Sequence, residues 1–482
     1  MNASLATGTA WMVGMRWVLK LIGLVNTAIL ARVLTPEDFG VMAMAMVIIE
    51  LAIVLTDGDF EVAVVRRHNA ERDFYDSAWT ARLLAGGASA VLLLLCAAPA
   101  GLMFDDPRVT VVVAIGALRP LIAGFENIGT VDFRRNLDFA GEFRYLVLQR
   151  FLSLLAGLAL VFSLADYRAL AWSAPASAMV TVVLSYMVSP YRPRLGFARM
   201  GDLSSFSRWL VLFNCARMLN ERVDQFLIGR LSGAAAAGGY YVAFDIATMP
   251  TRELMLPAGR ALLPNFARIA HDPVRLSEGF AAVMGCAAIL CCAMGPGIAL
   301  VAEDLLRVFL GERWVHMAPV FQLLALFATL EGIWLMLDPL MIATGRERTL
   351  ATANLMFTAL LVPAVAVTAY VAGTQWIPVA RMAIMALMLL GMGWRVVSWG
   401  WIGIGPLLGA LWRPVAAALI MAAAVIATRL DVAPILSLVW SVGVGAVTFP
   451  LVLAGLWLMA GRPDGAERML LTRATAQIAA AR

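Results

Sequence analysis

The sequence predicts an all-α integral membrane protein of about fourteen transmembrane helices, two six-helix lobes followed by two C-terminal helices. Three observations predict it. Of 482 residues, 62% are hydrophobic and only 14% charged, where an ordinary soluble domain is about a quarter charged. Apolar runs of about 20 residues, long enough to cross a bilayer as a helix, recur along the whole chain. And a segment near residue 30 returns near residue 230.

The spans are expected at 11–34, 39–56, 79–101, 109–127, 143–164, 169–189, 206–231, 239–263, 280–300, 316–337, 350–372, 376–398, 410–429 and 434–460. The first is read as a retained helix, because Met1–Ala10 carries neither a basic region nor a small-residue cleavage site. The seventh and eighth are the most polar and rest on the repeat. Span 1 closes on Ala28-Ile29-Leu30-Ala31-Arg32-Val33-Leu34 and leads to Phe39-Gly40. Span 7 closes on Phe226-Leu227-Ile228-Gly229-Arg230-Leu231 and leads to Gly238-Gly239. Arg32 and Arg230 each stand eight residues before a glycine that opens the next helix, and Asn26 and Asp224 each stand six residues before the arginine. Such a parallel repeat predicts an N-terminal lobe (1–200), a C-terminal lobe (201–400) and an appended pair of helices with a tail (401–482).

Arginine and lysine bias sets the orientation. With the N-terminus in the cytoplasm, the inner loops and tail hold 21 arginines and the outer loops seven. Both termini are then cytoplasmic. The longest outer loop, Val301–Val315, has room for one short interfacial helix and none for a catalytic domain.

Composition excludes several classes. Lys20 is the one lysine, net charge is +5, and no basic run exceeds a pair such as Arg66-Arg67, so nucleic acid is not expected as a partner. Cys96, Cys215, Cys286, Cys291 and Cys292 all lie in apolar runs, where cysteine acts as a small hydrophobe. His68, His271 and His316 are far apart, so no metal motif is present.

Charge inside the spans carries the functional signal, because an ionised side chain near the bilayer centre costs at least about 2.5 kcal/mol. Arg16, Lys20, Arg119, Arg150, Arg217 and Arg252 fall in the inner or middle parts of their helices. Arg16 and Lys20 are four apart and share a helical face. Asn214, Arg217, Glu221 and Asp224 form one stripe at helical spacing. The cations are expected to line a central cavity and bind an anionic head group, since a guanidinium donates two parallel hydrogen bonds to phosphate and stays charged. The structural reading of the same residues is pairing with Glu50, Glu126, Glu221, Asp224, Asp245 and Glu331. Glu221, Asp224 and Asp245 have a second reading as ion-coupling groups, because a carboxylate in low dielectric gains proton affinity. Pro250 and Pro257 flank Arg252 and read either as a hinge or as a fixed kink.

Several motifs together resemble the polysaccharide flippases of the multidrug/oligosaccharidyl-lipid/polysaccharide exporter superfamily, in the branch associated with colanic-acid-type export. They are Leu34-Thr35-Pro36-Glu37-Asp38-Phe39-Gly40, Asp132-Phe133-Arg134-Arg135-Asn136, Asp224-Gln225-Phe226-Leu227-Ile228-Gly229-Arg230, Gly259-Arg260-Ala261-Leu262-Leu263-Pro264-Asn265-Phe266 and Leu310-Gly311-Glu312-Arg313-Trp314. The resemblance runs from about residue 5 to residue 400. It implies two lobes around a central cavity in a bacterial inner membrane, and undecaprenyl-diphosphate-linked oligosaccharide as substrate. It further implies membrane lipid and a polysaccharide polymerase or export machinery as partners. No cofactor is implied; proton or sodium coupling would drive transport.

Two other transporters compete with this reading, a multidrug or metabolite antiporter of the same superfamily and a peptidoglycan-precursor flippase. Organic-cation export would favour an acidic cavity, against the cationic excess here. A membrane enzyme is disfavoured, because no cluster of acid, base and nucleophile stands at a membrane surface.

Overall fold

Hydrocarbon offers no water to bond exposed peptide groups, so an apolar run closes its N–H and C=O groups on itself as a helix. The computed structural model describes residues 2–56, 60–67, 71–136, 138–203, 208–401, 403–463 and 465–469, with 2–17, 62, 66, 203, 208–213 and 216 described by backbone alone. Among the described residues every regular element is a helix.

Each expected span falls on a helix. In chain order they are α1 (Asn2–Val33), α2 (Pro36–Thr56), α3 (Arg72–Phe104), the bent α4 (Pro107–Ala123 with Ile128–Arg135), α5 (Phe139–Leu164), α6 (Tyr167–Val188), α7 (208–232) and α8 (234–269). The series continues with α9 (Pro273–Leu300), α10 (Glu312–Ala343), α11 (Glu347–Val371), α12 (Ile377–Ser398), α13 (Ile404–Ala427) and α14 (Pro434–Met459). α7 and α8 are one helical run broken at Gly233, whose φ of 77° suits a residue without Cβ. Ten of these helices are long and apolar enough to cross a membrane, and eleven with α4, which bends by 69°. Most of the span expected in α1 and the start of α7 lie outside the described side chains, and α8 is interrupted by Asp245, Arg252, Glu253 and Arg260. The chain is a multi-pass membrane protein.

Aspartates start several of the helices. Asp106, Asp138, Asp166 and Asp272 each accept a hydrogen bond from a backbone N–H in the first turn, which satisfies a donor that the helix cannot. Burial raises the affinity of Asp106 for its proton. Hydrogen bonds from the Arg108 side chain and backbone outweigh it and hold the carboxyl below its ordinary range. In the loop 301–315, Ala302–Phe309 forms the short helix that the loop has room for.

The described residues divide into two compact units, Met1–Tyr241 and Val242–Arg482. In the first, α3 packs on α2 and α4, α5 pairs with α6, and α1 lies along α5. The extended segment after α6 is held on the opening turns of α3. There the Arg194 N–H donates to Asp76 (2.9 Å), the Gly196 N–H to Thr80 Oγ1 (3.0 Å) and the Arg199 N–H to Ser77 Oγ (3.1 Å). Buried Asn127 pins the bend of α4, its amide donating to the Tyr191 carbonyl at 2.7 Å while its oxygen accepts from the Gly129 N–H.

One contact in this unit follows the sequence repeat. A Cβ on Gly40 would lie 1.7 Å from the Ala234 carbonyl oxygen, and a Cβ on Gly238 would lie 1.9 Å from the Pro36 carbonyl oxygen. The contact is reciprocal: the interval that relates Arg32 to Arg230 also relates Pro36 to Ala234 and Gly40 to Gly238. Only glycine lets two backbones approach so closely.

In the second unit α9 packs against α10 and α13, and α11 pairs with α12. An apolar cluster of Ile289, Cys292, Met421, Val425, Phe449 and Leu453 joins α9 to α13 and α14. Ala466, beyond α14, belongs to this cluster and packs on Gly285. Next to it, Arg413 Nε donates to Glu467 at 2.7 Å, with both side chains buried.

Candidate functional site

In Met1–Tyr241, α2, α3 and α4 enclose a polar cavity of about 470 Å³, lined by Thr56, Glu61, Arg82, Ser89, Arg119 and Arg134 among others. Arg82 is held between two carboxylates, donating to Glu61 at 2.9 Å and to Glu126 at 2.5 Å. Arg134 Nε donates to Glu142 at 2.7 Å, and its Nη1 stands 3.6 Å from Glu61. Arg119 makes no ion pair among the described residues and its side chain is exposed. The α4 backbone sits close to α3 here because Gly86 has no side chain; a Cβ would lie 2.4 Å from the Pro120 carbonyl oxygen.

The other expected cations of this unit stand elsewhere. Lys20 is half-buried on α1. A Cβ on Gly23, one turn on, would lie 3.2 Å from Arg150 Nη2, so Lys20 and Arg150 converge on one face of α1. The Arg16 side chain lies outside the described residues. Arg217 is exposed, with Nη1 3.6 Å from Glu221 of the next turn. Asp224 is buried and accepts a hydrogen bond from the Tyr240 hydroxyl. The cavity that Arg119 enters is thus lined by Arg82 and Arg134, not by Lys20, Arg150 or Arg217. Glu50 is paired as the structural reading expects, though with Arg222: Nε donates to it at 2.6 Å and Nη2 donates to its other oxygen. Arg222 Nη1 also donates to Gln225 at 2.9 Å.

In Val242–Arg482, Arg252 forms a forked pair with Glu331, at 2.8 and 2.6 Å. Its guanidinium lies 5.1 Å from the centre of the Phe244 ring. Arg381 of α12, 2% exposed, lies 5.1 Å from the centres of both the Phe244 and the Phe327 rings. Ring faces carry negative potential, so this aromatic pair accommodates buried cations that a carboxylate alone would have to balance. Asp245 is exposed. Between α9, α13 and α14 runs an apolar groove of about 800 Å³, with Ile289, Met294, Met421, Phe449 and Leu453 in its wall and Glu467 as its one charged residue.

Sequence reasoning missed Arg82, Arg222 and the depth of Arg381. Arg82 sits near the start of a long span, where an arginine reads as a loop residue. Arg222 and Gln225 are three apart and form a second stripe beside that of Arg217, Glu221 and Asp224, which was the available signal. Nothing in the sequence marks Arg381 as buried, because Phe244 and Phe327 reach it from distant helices. Among the described residues no group of histidines, cysteines and carboxylates could hold a metal ion.

A family described as "Polysaccharide biosynthesis protein" matches residues 29–319. The lipopolysaccharide biosynthesis protein WzxC of Escherichia coli (strain K12) is 24% identical over 375 residues, 76% of this chain and 75% of that protein. The succinoglycan biosynthesis transport protein ExoT of Rhizobium meliloti (strain 1021) is 28% identical over 309 residues, 63% of this chain and 62% of that protein. Among solved structures, the lipid II flippase MurJ in an inward closed conformation superposes with a TM-score of 0.77 at 11% identity, over 95% of this chain and all (100%) of that one. An inward-facing multidrug resistance transporter of the MATE family superposes at 0.62 and 16% identity, over 79% of this chain and 95% of that one. At such identities the two structures speak for the fold alone.

Proposed function

Because the chain belongs to the polysaccharide biosynthesis protein family, we propose that it is a flippase. Its substrate would be undecaprenyl-diphosphate-linked oligosaccharide, moved across the bacterial inner membrane for exopolysaccharide or O-antigen-type biosynthesis. The observation that carries the reading is a charged cavity in a membrane fold, lined by Arg82, Arg119 and Arg134 with Glu61. Guanidinium groups there suit the diphosphate of such a substrate. The names of WzxC and ExoT, in lipopolysaccharide biosynthesis and succinoglycan transport, support the same substrate class.

In this reading the chain crosses the membrane fourteen times, with both termini cytoplasmic. The lobes 1–200 and 201–400 rock to expose the substrate to each side in turn, and 401–482 is an addition. Arg119, which lines the cavity, contacts the diphosphate; Arg16, Lys20, Arg150 and Arg217 meet the acidic sugars, and Arg252 does so only on leaving Glu331. The reading makes the protein a transporter and assigns no catalytic residue. A polymerase or export complex would take the product.

The test is lipid-linked oligosaccharide in a strain lacking the gene. The intermediate should accumulate on the cytoplasmic side and clear when wild type is returned, but not with Arg119→Ala combined with Lys20→Ala. A deletion strain with unchanged lipid-linked intermediates would refute the substrate class.

A further inference from the structure

Helices α8 and α10 meet along the Arg252–Glu331 pair, and two turns further on they approach again at Gly259. A Cβ there would lie 3.7 Å from the Leu335 carbonyl oxygen and 3.9 Å from Pro339 Cδ. That carbonyl has lost its usual donor, because Pro339 has no N–H to give the residue four back. The helix is irregular at the same place. Its regular turns stop at Trp334 and resume at Leu337, and the Met336 N–H donates to Ile333 rather than to Gly332.

Beside this break lies a cavity of about 200 Å³, lined among others by Gly259, Arg260, Leu335, Asp338 and Pro339. Asp338 Oδ1 is buried and has no hydrogen-bond partner, and Asp338 makes no ion pair among the described residues. An ionised carboxylate so placed in a membrane helix is strongly disfavoured, and a bound proton removes the cost. The charged groups around it are few. Arg260 on α8 shares the cavity. Glu331, two turns back on α10, is held by Arg252. Arg381 on α12 lies against Phe244 and Phe327. Glu347 and Arg348 open α11, which also packs on this part of α10, and neither lines the cavity.

We propose that Asp338 is a proton-binding site. Its carboxylate takes one proton to become the neutral acid, which can donate to the freed Leu335 carbonyl three residues back, and gives the same proton up when Arg260 draws near. Arg260 favours the ionised form by its charge, and burial favours the acid. Proton occupancy therefore follows the spacing of α8 and α10. Pro257 and Pro264 stand on either side of Gly259-Arg260 in α8, where they loosen the backbone that sets that spacing. The site would couple transport to a proton gradient, which rests on the transporter reading above; the binding of the proton does not.

The experiment is infrared difference spectroscopy of the purified full-length protein, titrated from acid to mildly alkaline pH without substrate. Wild type should show a carboxylic acid C=O band that vanishes as pH rises. Asp338→Asn should lose that band and melt like wild type, and Arg260→Gln should keep it with the midpoint raised by about one pH unit, tenfold in proton affinity. A C=O titration with the same amplitude and midpoint in Asp338→Asn as in wild type, or a carboxyl neutralised by sodium and not by protons, would overturn the assignment. Should Asp338→Asn fail to fold, an unmoved midpoint in Arg260→Gln overturns it instead. Because no lipid-linked oligosaccharide is present, failure of the substrate assignment leaves these outcomes untouched.

Discussion

Gly238→Ala tests the reciprocal glycine contact between the starts of α2 and α8. The new methyl would stand 1.9 Å from the Pro36 carbonyl oxygen and 2.5 Å from the Gly40 nitrogen, where ordinary contact begins at 3.4 Å. No side chain can turn aside, since both obstacles are backbone. The start of α2 and the start of α8 must therefore part by about 1.5 Å, which unpacks the residues around them. Overpacking a well-filled site costs about 1–3 kcal/mol, and two rigid helices place this case at about 3 kcal/mol or above. For a unit of this size that is a fall of about 6–12 °C in melting temperature. The assay is thermal melting of the purified protein in detergent, followed by tryptophan fluorescence. Gly40→Ala should behave alike, with its Cβ 1.7 Å from the Ala234 carbonyl oxygen. The double variant should cost well under the sum, because helices already parted admit the second methyl. Gly87→Ala is the control: a Cβ there meets nothing within 4 Å, and alanine is the better helix former. A Gly238→Ala protein that melts within about 2 °C of wild type would refute the reasoning.

Arg252→Met should destabilise the protein by about 3–5 kcal/mol by leaving Glu331 without its partner, and adding Glu331→Met should restore most of the loss in the same melting assay. Arg82→Ala should also lower the melting temperature, since Glu61 and Glu126 both lose the guanidinium between them. Arg119→Ala should leave melting unchanged and reduce clearance of lipid-linked oligosaccharide, because Arg119 faces the cavity without holding a carboxylate. The Asp106 carboxyl, with its proton affinity lowered by Arg108, contributes stability above its unfolded pKa and loses it as pH falls through the lower folded value. The protection of the Arg108 amide against hydrogen exchange should accordingly fall as pH drops below the ordinary carboxylate range, and Asp106→Asn should abolish that dependence.

Much of the fold was legible because lipid enforces it. Apolar runs, and for the two most polar spans the repeat, place each of the expected spans on a helix, and even the short helix Ala302–Phe309 follows from the length of its loop. The repeat was legible as Arg32/Gly40 and Arg230/Gly238, and the two glycines prove to touch. The site was harder to read, because a charge in a span says nothing about its partner. Glu331 and Arg252 are 79 residues apart, and Glu50 and Arg222 are 172 apart. Glu50 therefore took a partner, Arg222, that lay off the stripe the sequence drew attention to. Asp338 stood out in no pattern, because its significance is a missing neighbour, and that is a property of the folded chain alone.

The buried pair of Arg413 and Glu467 bears on how the protein is made. Arg413 lies in α13 and its counter-charge arrives 54 residues later, after α14 has been synthesised. During that interval the guanidinium has no carboxylate, so it must reach towards the membrane surface along its own apolar stem. The last helix pair is then settled only when 465–469 folds back and Ala466 seats on Gly285. A chain released before Glu467 would carry all of α1–α14 and still leave the Arg413 guanidinium without its carboxylate.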